Sequence, residues 1–239
     1  MSASLKSEKV VILAGGMGTR VASLTGGRVP KVLLDVAGRP FIDRKIDELL
    51  ADGAEHLVIL AGHGADMLRE HVAAAAHPLR VDVVEDGPTL RGTAGAVRAA
   101  LSQLADEFWL TYGDTFLTVD VRGAETAFDL AEADGLMTVL HNRDRWQPSN
   151  TSVEHGYVTA YAKGEPAGTH EWIDYGMLLL RRRVFERLAP DLVGDLSLVF
   201  ADLARRHQLL PFEASEVFRD IGTPEALWET AATFRSRET

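Results

Sequence analysis

Val10-Val11-Ile12-Leu13-Ala14-Gly15-Gly16-Met17-Gly18-Thr19-Arg20 is the stretch on which the reading of this chain turns. Four consecutive apolar residues end in glycines, which is the pattern of a strand buried on both faces and released into a turn. The same punctuation recurs outward from it. Phe41, Ile42, Ile46, Leu49 and Leu50 have helical spacing, with Gly53 as a stop. Leu57–Ala61 is a second apolar run, Ala65–Ala76 a second helix closed by Pro78, and Val81–Val84 a third strand. Thr93–Leu104 is a third helix and Phe108–Tyr112 a fourth strand. Strands alternating with helices of about a dozen residues mean βαβ units and a mainly parallel sheet. Such sheets bind ligands beyond the carboxyl ends of their strands. Gly15-Gly16, Glu85-Asp86 and Gly113-Asp114 all fall at such ends.

The second half has a different pattern. Leu136–Leu140, Tyr157–Tyr161, Trp172–Leu180 and Glu216–Phe218 read as strands, with short helices near Val184–Leu188, Leu196–His207 and Pro224–Phe234. Mixed strand pairing is expected there. Arg143–Glu154 reads as a polar loop and candidate lid. With no repeat or linker, 1–239 is taken as one domain, roughly 1–120 and 121–239 being its halves.

The chain has 239 residues, long enough to bury a core without covalent staples. It has no cysteine, which excludes disulfides, thiolate metal sites and cysteine nucleophiles. Its formal charge of −10 argues against nucleic acid or an anionic membrane as partner. No stretch approaches the ~20 apolar residues of a membrane helix, and Met1–Lys9 lacks the apolar core of a signal peptide, so the cytoplasm is the expected location. The eight histidines show no metal-binding spacing.

The glycine segment carries the chemistry. Successive N–H groups in such a turn can form an anion nest, and the Arg20 guanidinium offers a fork of donors suited to phosphate oxygens. Two familiar phosphate motifs fail: Val21 stands where G-x-G-x-x-G needs glycine, and no G-x-x-x-x-G-K-[ST] occurs. Pro30-Lys31 places a second cation soon afterwards.

Gly-Gly-x-Gly-Thr-Arg, then Pro30-Lys31, then Val36-Ala37-Gly38-Arg39-Pro40, resembles the sugar-1-phosphate nucleotidyltransferases. The resemblance runs nearly the whole chain, through Gly92-Thr93-Ala94-Gly95, Tyr112-Gly113-Asp114, Gly156-Tyr157-Val158 with Lys163, Trp172–Gly176 and Phe218–Glu225. In length and in its Tyr-Gly-Asp and Ile-Asp-Tyr-Gly segments the chain is most similar to short heptose-1-phosphate guanylyltransferases. Asp174-Tyr175-Gly176 and Ala162-Lys163-Gly164 depart from the usual Asn-Ala-Gly and Glu-Lys-Pro.

The resemblance implies an α/β fold: a Rossmann-like three-layer sandwich with a mainly parallel central sheet and a smaller mixed β part for the sugar. It implies attack by a sugar 1-phosphate on the α-phosphorus of a nucleoside triphosphate, with pyrophosphate leaving and Mg²⁺ as cofactor. Arg20 and Lys31 would be catalytic. Leu13, Gly15, Gly16, Gly18, Thr19, Arg20, Glu85, Gly92 and Thr93 would bind the nucleotide, and Gly156, Lys163 and Asp174 the sugar phosphate. Asp114 and Asp220 would hold the metal. A small homo-oligomer is common among relatives.

A carboxylate at Glu85 would suit the adjacent N1–H and N2–H of guanine and repel uracil and thymine, which favours GTP; surface acids at a strand end are the plainer alternative. The same reaction with UTP, dTTP or CTP and a hexose 1-phosphate stays open. So do a metal-dependent glycosyltransferase, against which the chain lacks Asp-x-Asp, and a catalytically silent regulator.

Overall fold

A computed structural model describes residues 9–16, 18–21, 29–85, 87 and 90–237. In chain order its elements are β1 (Lys9–Ala14), β2 (Asp35–Val36), β3 (Arg39–Pro40), α1 (Phe41–Ala51), β4 (His56–Ala61), α2 (Ala65–Ala75), β5 (Arg80–Glu85), α3 (Gly92–Ala99), β6 (Glu107–Tyr112), β7 (Thr115–Phe116) and α4 (Val121–Asp129). They continue as β8 (Gly135–His141), β9 (Thr151–Glu154), β10 (Tyr157–Tyr161), β11 (Trp172–Arg181), α5 (Arg183–Glu186), α6 (Leu196–Arg205), β12 (Leu209–Glu213), β13 (Arg219–Asp220) and α7 (Pro224–Arg237). The chain forms two compact units. One comprises Met1–Leu90, Thr111–Phe116 and Phe218–Thr239, the other Arg91–Leu110 and Leu117–Val217.

In the first unit β1, β4 and β5 are parallel, with Val10 opposite Leu57 and Leu57 opposite Val81. Val10, Val11, Ile12, Leu57, Val58 and Ile59 are completely buried. That is why these strands are continuous apolar runs instead of alternating ones. The α/β class with a parallel sheet and intervening helices, expected from the sequence, is what the chain has. A hairpin joins β2 to β3 through Ala37 and Gly38, both at positive φ. Two left-handed residues are the requirement of a tight hairpin turn. Val36, Leu34 and Phe41 from this region pack with Val21, Ile221, Leu227, Ala231 and Phe234, so the carboxyl-terminal helix α7 shares a core with residues near the amino terminus.

In the second unit β11 runs antiparallel to β8, β8 parallel to β12, and β9 antiparallel to β10. This is the mixed part that was expected. Three details depart from the sequence reading. Residues 216–218 are not a strand; the strand is β12, hidden in the sequence by Pro211. Proline is tolerated there because, among the described residues, β12 pairs with β8 alone and so lies at an edge. Helix α4 was not anticipated. The stretch 143–154 is not a lid: its last four residues are β9, and 142–150 is pinned. Asn142 Nδ2 donates to Gln147 O and Ser149 Oγ, and Asp144 accepts from Ser149 N (2.6 Å) and Gly168 N (2.7 Å).

Candidate active site

The carboxyl edge of the parallel strands in the first unit gathers Gly15-Gly16 after β1, Gly62 after β4 and Glu85 at the end of β5, and the returning segment Thr111–Phe116 brings Gly113-Asp114 beside Leu13. These loops approach closely. Gly113 N donates to Leu13 O at 2.9 Å. A Cβ on Gly62 would sit 2.8 Å from Gly15 O, so only glycine lets the two loops meet. Gly64, at φ +76°, leaves no room for a side chain against Pro30. Gly62 and Gly64, which belong to none of the motifs above, form the wall against which Gly15 and Pro30 rest. Their signal was present, as Gly-x-Gly directly after an apolar run.

Gly18 has φ +59°, and its missing side chain leaves room for Lys31 Cβ, 3.2 Å from where a Cβ would stand. Arg20 is exposed within a short 3-10 turn, Thr19–Val21. Met17, Asp86, Pro88 and Thr89 lie outside the described residues, as does the side chain of Thr19.

Lys31 is mostly buried, 11% exposed, and its Nζ lies 2.5 Å from Asp114 Oδ2. Asp220 joins them. β13 pairs antiparallel with β7, placing Asp220 opposite Thr115, and Ile221 N donates to Asp114 O at 3.0 Å. Asp220 Oδ1 accepts from Gly222 N at 2.6 Å. A Cβ on Gly222 would stand 2.8 Å from Asp220 Oδ1 and 3.7 Å from Lys31 Nζ, so the carboxylate and the ammonium flank one point. Lys31, Asp114 and Asp220 therefore converge.

This donor set is hard oxygen only. Among the described residues no group of three or more histidines, cysteines or carboxylates is arranged to hold a metal. Two carboxylates leave most of a coordination sphere to phosphate oxygens and water, which is the habit of Mg²⁺. One of the two, Asp114, already has a cation as partner. The residues fit the ion.

The second unit collects another set. Thr93 Oγ1, at the start of α3, donates to Asp195 Oδ2 (3.1 Å) and accepts from Leu196 N (2.8 Å). Asp195 Oδ1 caps α6 by accepting from Ser197 N (2.9 Å) and also lies 3.2 Å from Lys163 Nζ. Burial works to raise the Asp195 pKa, but the Ser197 hydrogen bonds and the Lys163 charge outweigh it and bring it down to about 2. Gly92 and Gly95 are needed for the same junction: a Cβ on Gly92 would be 2.5 Å from Gly194 O, and one on Gly95 would collide with Leu192 O. Gly92 and Thr93 thus tie α3 to the segment that carries Asp195. Asp195 itself went unnoticed in the sequence, where Asp-Leu-Ser looks like any helix cap.

Asp174 sits on β11 beside a register shift, with Gly176 at φ +103°. Such bulges re-aim side chains. Its Oδ1 accepts from Gly176 N (2.9 Å), and Tyr161 OH donates to its Oδ2 (3.3 Å). Gly156 is at the exposed tip of the β9–β10 hairpin, at φ +82° beside His155 at φ +52°. Its glycine is explained by that turn, and a Cβ there would meet nothing within 4 Å. Glu85 is exposed at its strand end, with Arg69 Nη2 3.7 Å away.

Residues 10–197 match the MobA-like NTP transferase domain. The chain belongs to that family. The chain is 42% identical over 128 residues to the bifunctional protein GlmU of Cupriavidus pinatubonensis, a match covering 53% of this chain and 25% of that protein. It spans about a quarter of the length of the GlmU proteins that it matches. A mannose-1-phosphate guanylyltransferase catalytic subunit beta of Xenopus tropicalis is 24% identical over 227 residues, covering 91% of this chain and 62% of that one. Among solved structures, HddC from Yersinia pseudotuberculosis superposes with a TM-score of 0.80 at 25% identity, covering 95% of this chain and 99% of HddC. The same protein complexed with GMP-PN gives 0.79 at 26%. The inositol-1-phosphate CTP transferase of T. maritima, at 0.79 and 19%, shares the fold. The nucleotidyltransferase family expected from the motifs is thereby the family of this NTP transferase domain. No helix among the described residues is long and apolar enough to cross a membrane.

Proposed function

We propose that this chain transfers a nucleotidyl group from a nucleoside triphosphate to a sugar 1-phosphate, releasing pyrophosphate. The observation that carries the reading is the convergence of Lys31, Asp114 and Asp220 beside the glycine turn. Reactants of this type are polyanions, so catalysis consists mainly of positioning and charge neutralisation.

Asp114 and Asp220 would hold Mg²⁺, which when bound supplies a Lewis-acid clamp on phosphate oxygens. Gly15, Gly16 and Gly18 would let backbone N–H groups approach phosphate closely, with Leu13 and Thr19 as further nucleotide-binding residues of the first unit, and Gly92 and Thr93 as nucleotide-binding residues of the second. Arg20 and Lys31 would neutralise charge growing on the leaving pyrophosphate. In exchanging its present partner for phosphate, Lys31 would free the Asp114 carboxylate. Lys163, held by Asp195, would screen the incoming sugar phosphate, with Asp174 accepting from sugar hydroxyls and Gly156 shaping the adjacent hairpin. A phosphate dianion is already nucleophilic at neutral pH, so no general base is needed.

GTP is the favoured nucleotide, on the donor pattern of guanine against the Glu85 carboxylate, and the likeness to HddC complexed with GMP-PN supports it. A heptose is the favoured sugar. The experiment is a matrix of nucleoside triphosphates against sugar 1-phosphates with Mg²⁺, read by pyrophosphate release. GTP with a heptose 1-phosphate should give the highest kcat/KM. Preference for UTP or dTTP would refute the Glu85 assignment, and absence of pyrophosphate in every cell would refute the reaction.

A further inference from the structure

Asp134, at the entry to β8, is 3% exposed, and its two oxygens take three guanidiniums. Arg183 Nε lies 2.6 Å from Oδ1, with Arg187 Nη1 at 3.3 Å and Arg206 Nη2 at 3.2 Å from Oδ2. These arginines come from the turn of α5 and the end of α6. Arg206 also reaches Asp202 at 3.2 Å, where Arg205 joins at 3.1 Å. Four guanidiniums thus face two carboxylates, a local excess of two positive charges in a chain whose net charge is −10.

One buried carboxylate does not need three arginines for neutrality. What it does here is hold three mutually repelling forks in one place. The Asp134 oxygens are turned inward and spent on those bonds, while Arg183, Arg187 and Arg206 remain 49%, 54% and 41% exposed. Among the described residues, Arg183 Nη1 and Nη2 and Arg187 Nε and Nη2 make no further hydrogen bond. Preset, outward guanidinium N–H groups are the donors that phosphoryl oxygens select. The cluster is distinct from the sugar-side residues. Arg181 N donates to Asp134 O, and Arg181 is seven residues beyond Asp174 on β11, roughly 20 Å along the strand.

We propose that Arg183, Arg187 and Arg206, organised by Asp134, form a second anion site that binds a phosphoryl dianion, either inorganic phosphate or the phosphate of pyrophosphate. This inference does not rest on the proposed reaction. The test is calorimetric titration of the whole chain with phosphate and with pyrophosphate, in chelator so that no metal contributes. The titrations are also run in Lys31→Ala, where the proposed catalytic centre has lost a phosphate contact, and the binding that persists there should be that of the cluster. Arg187→Ala, at a half-exposed position, should weaken binding about tenfold, the size expected for one charge-assisted contact. Arg205→Ala, which reaches only Asp202, should change it far less. Saturation by pyrophosphate alone would assign the site to that source, and saturation by both to phosphate in general. The idea is overturned if wild type shows no saturable binding, as it would were the patch made for an acidic protein. It is also overturned if Arg187→Ala, with an unchanged circular dichroism spectrum, binds as wild type does.

Discussion

At the scale of single residues, the decisive contact is Lys31 with Asp114. Substitution of Lys31 by Ala should lower turnover by about 10²–10³, by analogy with other preorganised electrostatic groups. Asp114→Asn should abolish Mg²⁺-dependent turnover while the unfolding curve stays near that of wild type. Pyrophosphate release at saturating Mg²⁺ checks both, and a near wild-type rate in either variant removes that residue from the mechanism. Asp195 and Lys163 are each about half exposed, so their pair contributes little to stability, about 0.2–1 kcal/mol. Its value is positional: Asp195→Asn should raise the KM for the sugar phosphate more than it lowers kcat.

Asp52, just after α1, makes a pH prediction. Burial chiefly, with the nearby Glu48 charge, raises its pKa to about 6, and Lys45 only partly offsets this. A folded pKa above the unfolded 3.8 means stability fully present below 3.8 and lost as pH rises through 6. Asp52→Asn should therefore stabilise the protein at pH 8, by about 1–2 kcal/mol after discounting for partial exposure. The gain should vanish near pH 3.5 in urea unfolding. Asp195 has the opposite sign. Its depressed pKa adds stability above the ordinary carboxylate range that is lost as pH falls toward 2.

At the scale of elements, glycines decide how neighbours meet. Gly95 faces Leu192 O so closely that any side chain must push the 192–196 segment away from α3. Gly95→Ala should cost about 1–3 kcal/mol in chemical denaturation. It should also weaken the Thr93–Asp195–Lys163 chain, raising the same KM as Asp195→Asn. These glycines were visible in the sequence as a turn, but their reason was not. The partner backbone lies a hundred residues downstream, and nothing local announces it.

At the scale of the whole molecule, the chain leaves the first unit after Leu90, returns for Thr111–Phe116, and returns again at Phe218. The last return is secured by α7. Phe234 stacks edge-on against Phe116 at 4.9 Å, and the Arg44 guanidinium lies over the Phe234 ring, 4.4 Å from its centroid. Phe234→Ala should destabilise by about 3 kcal/mol, and thermal unfolding should report it. Loosening α7 should also reduce Mg²⁺-dependent turnover, because α7 holds β13 and hence Asp220 in place.

The sequence by itself determined the βαβ order, the parallel strands and the glycine–cation turn. Continuous apolar runs, helical spacing and glycine punctuation are local consequences of burial and of allowed backbone angles, so they can be read one window at a time. Only the tertiary structure decided that Asp114 and Asp220 meet, since they are joined through two-residue strands too short to leave any periodic trace. The same holds for Asp195 under Lys163 and for the arginines around Asp134. Each of those contacts unites segments distant in the chain, and its energy comes from packing and charge pairing that exist only once the intervening residues have folded.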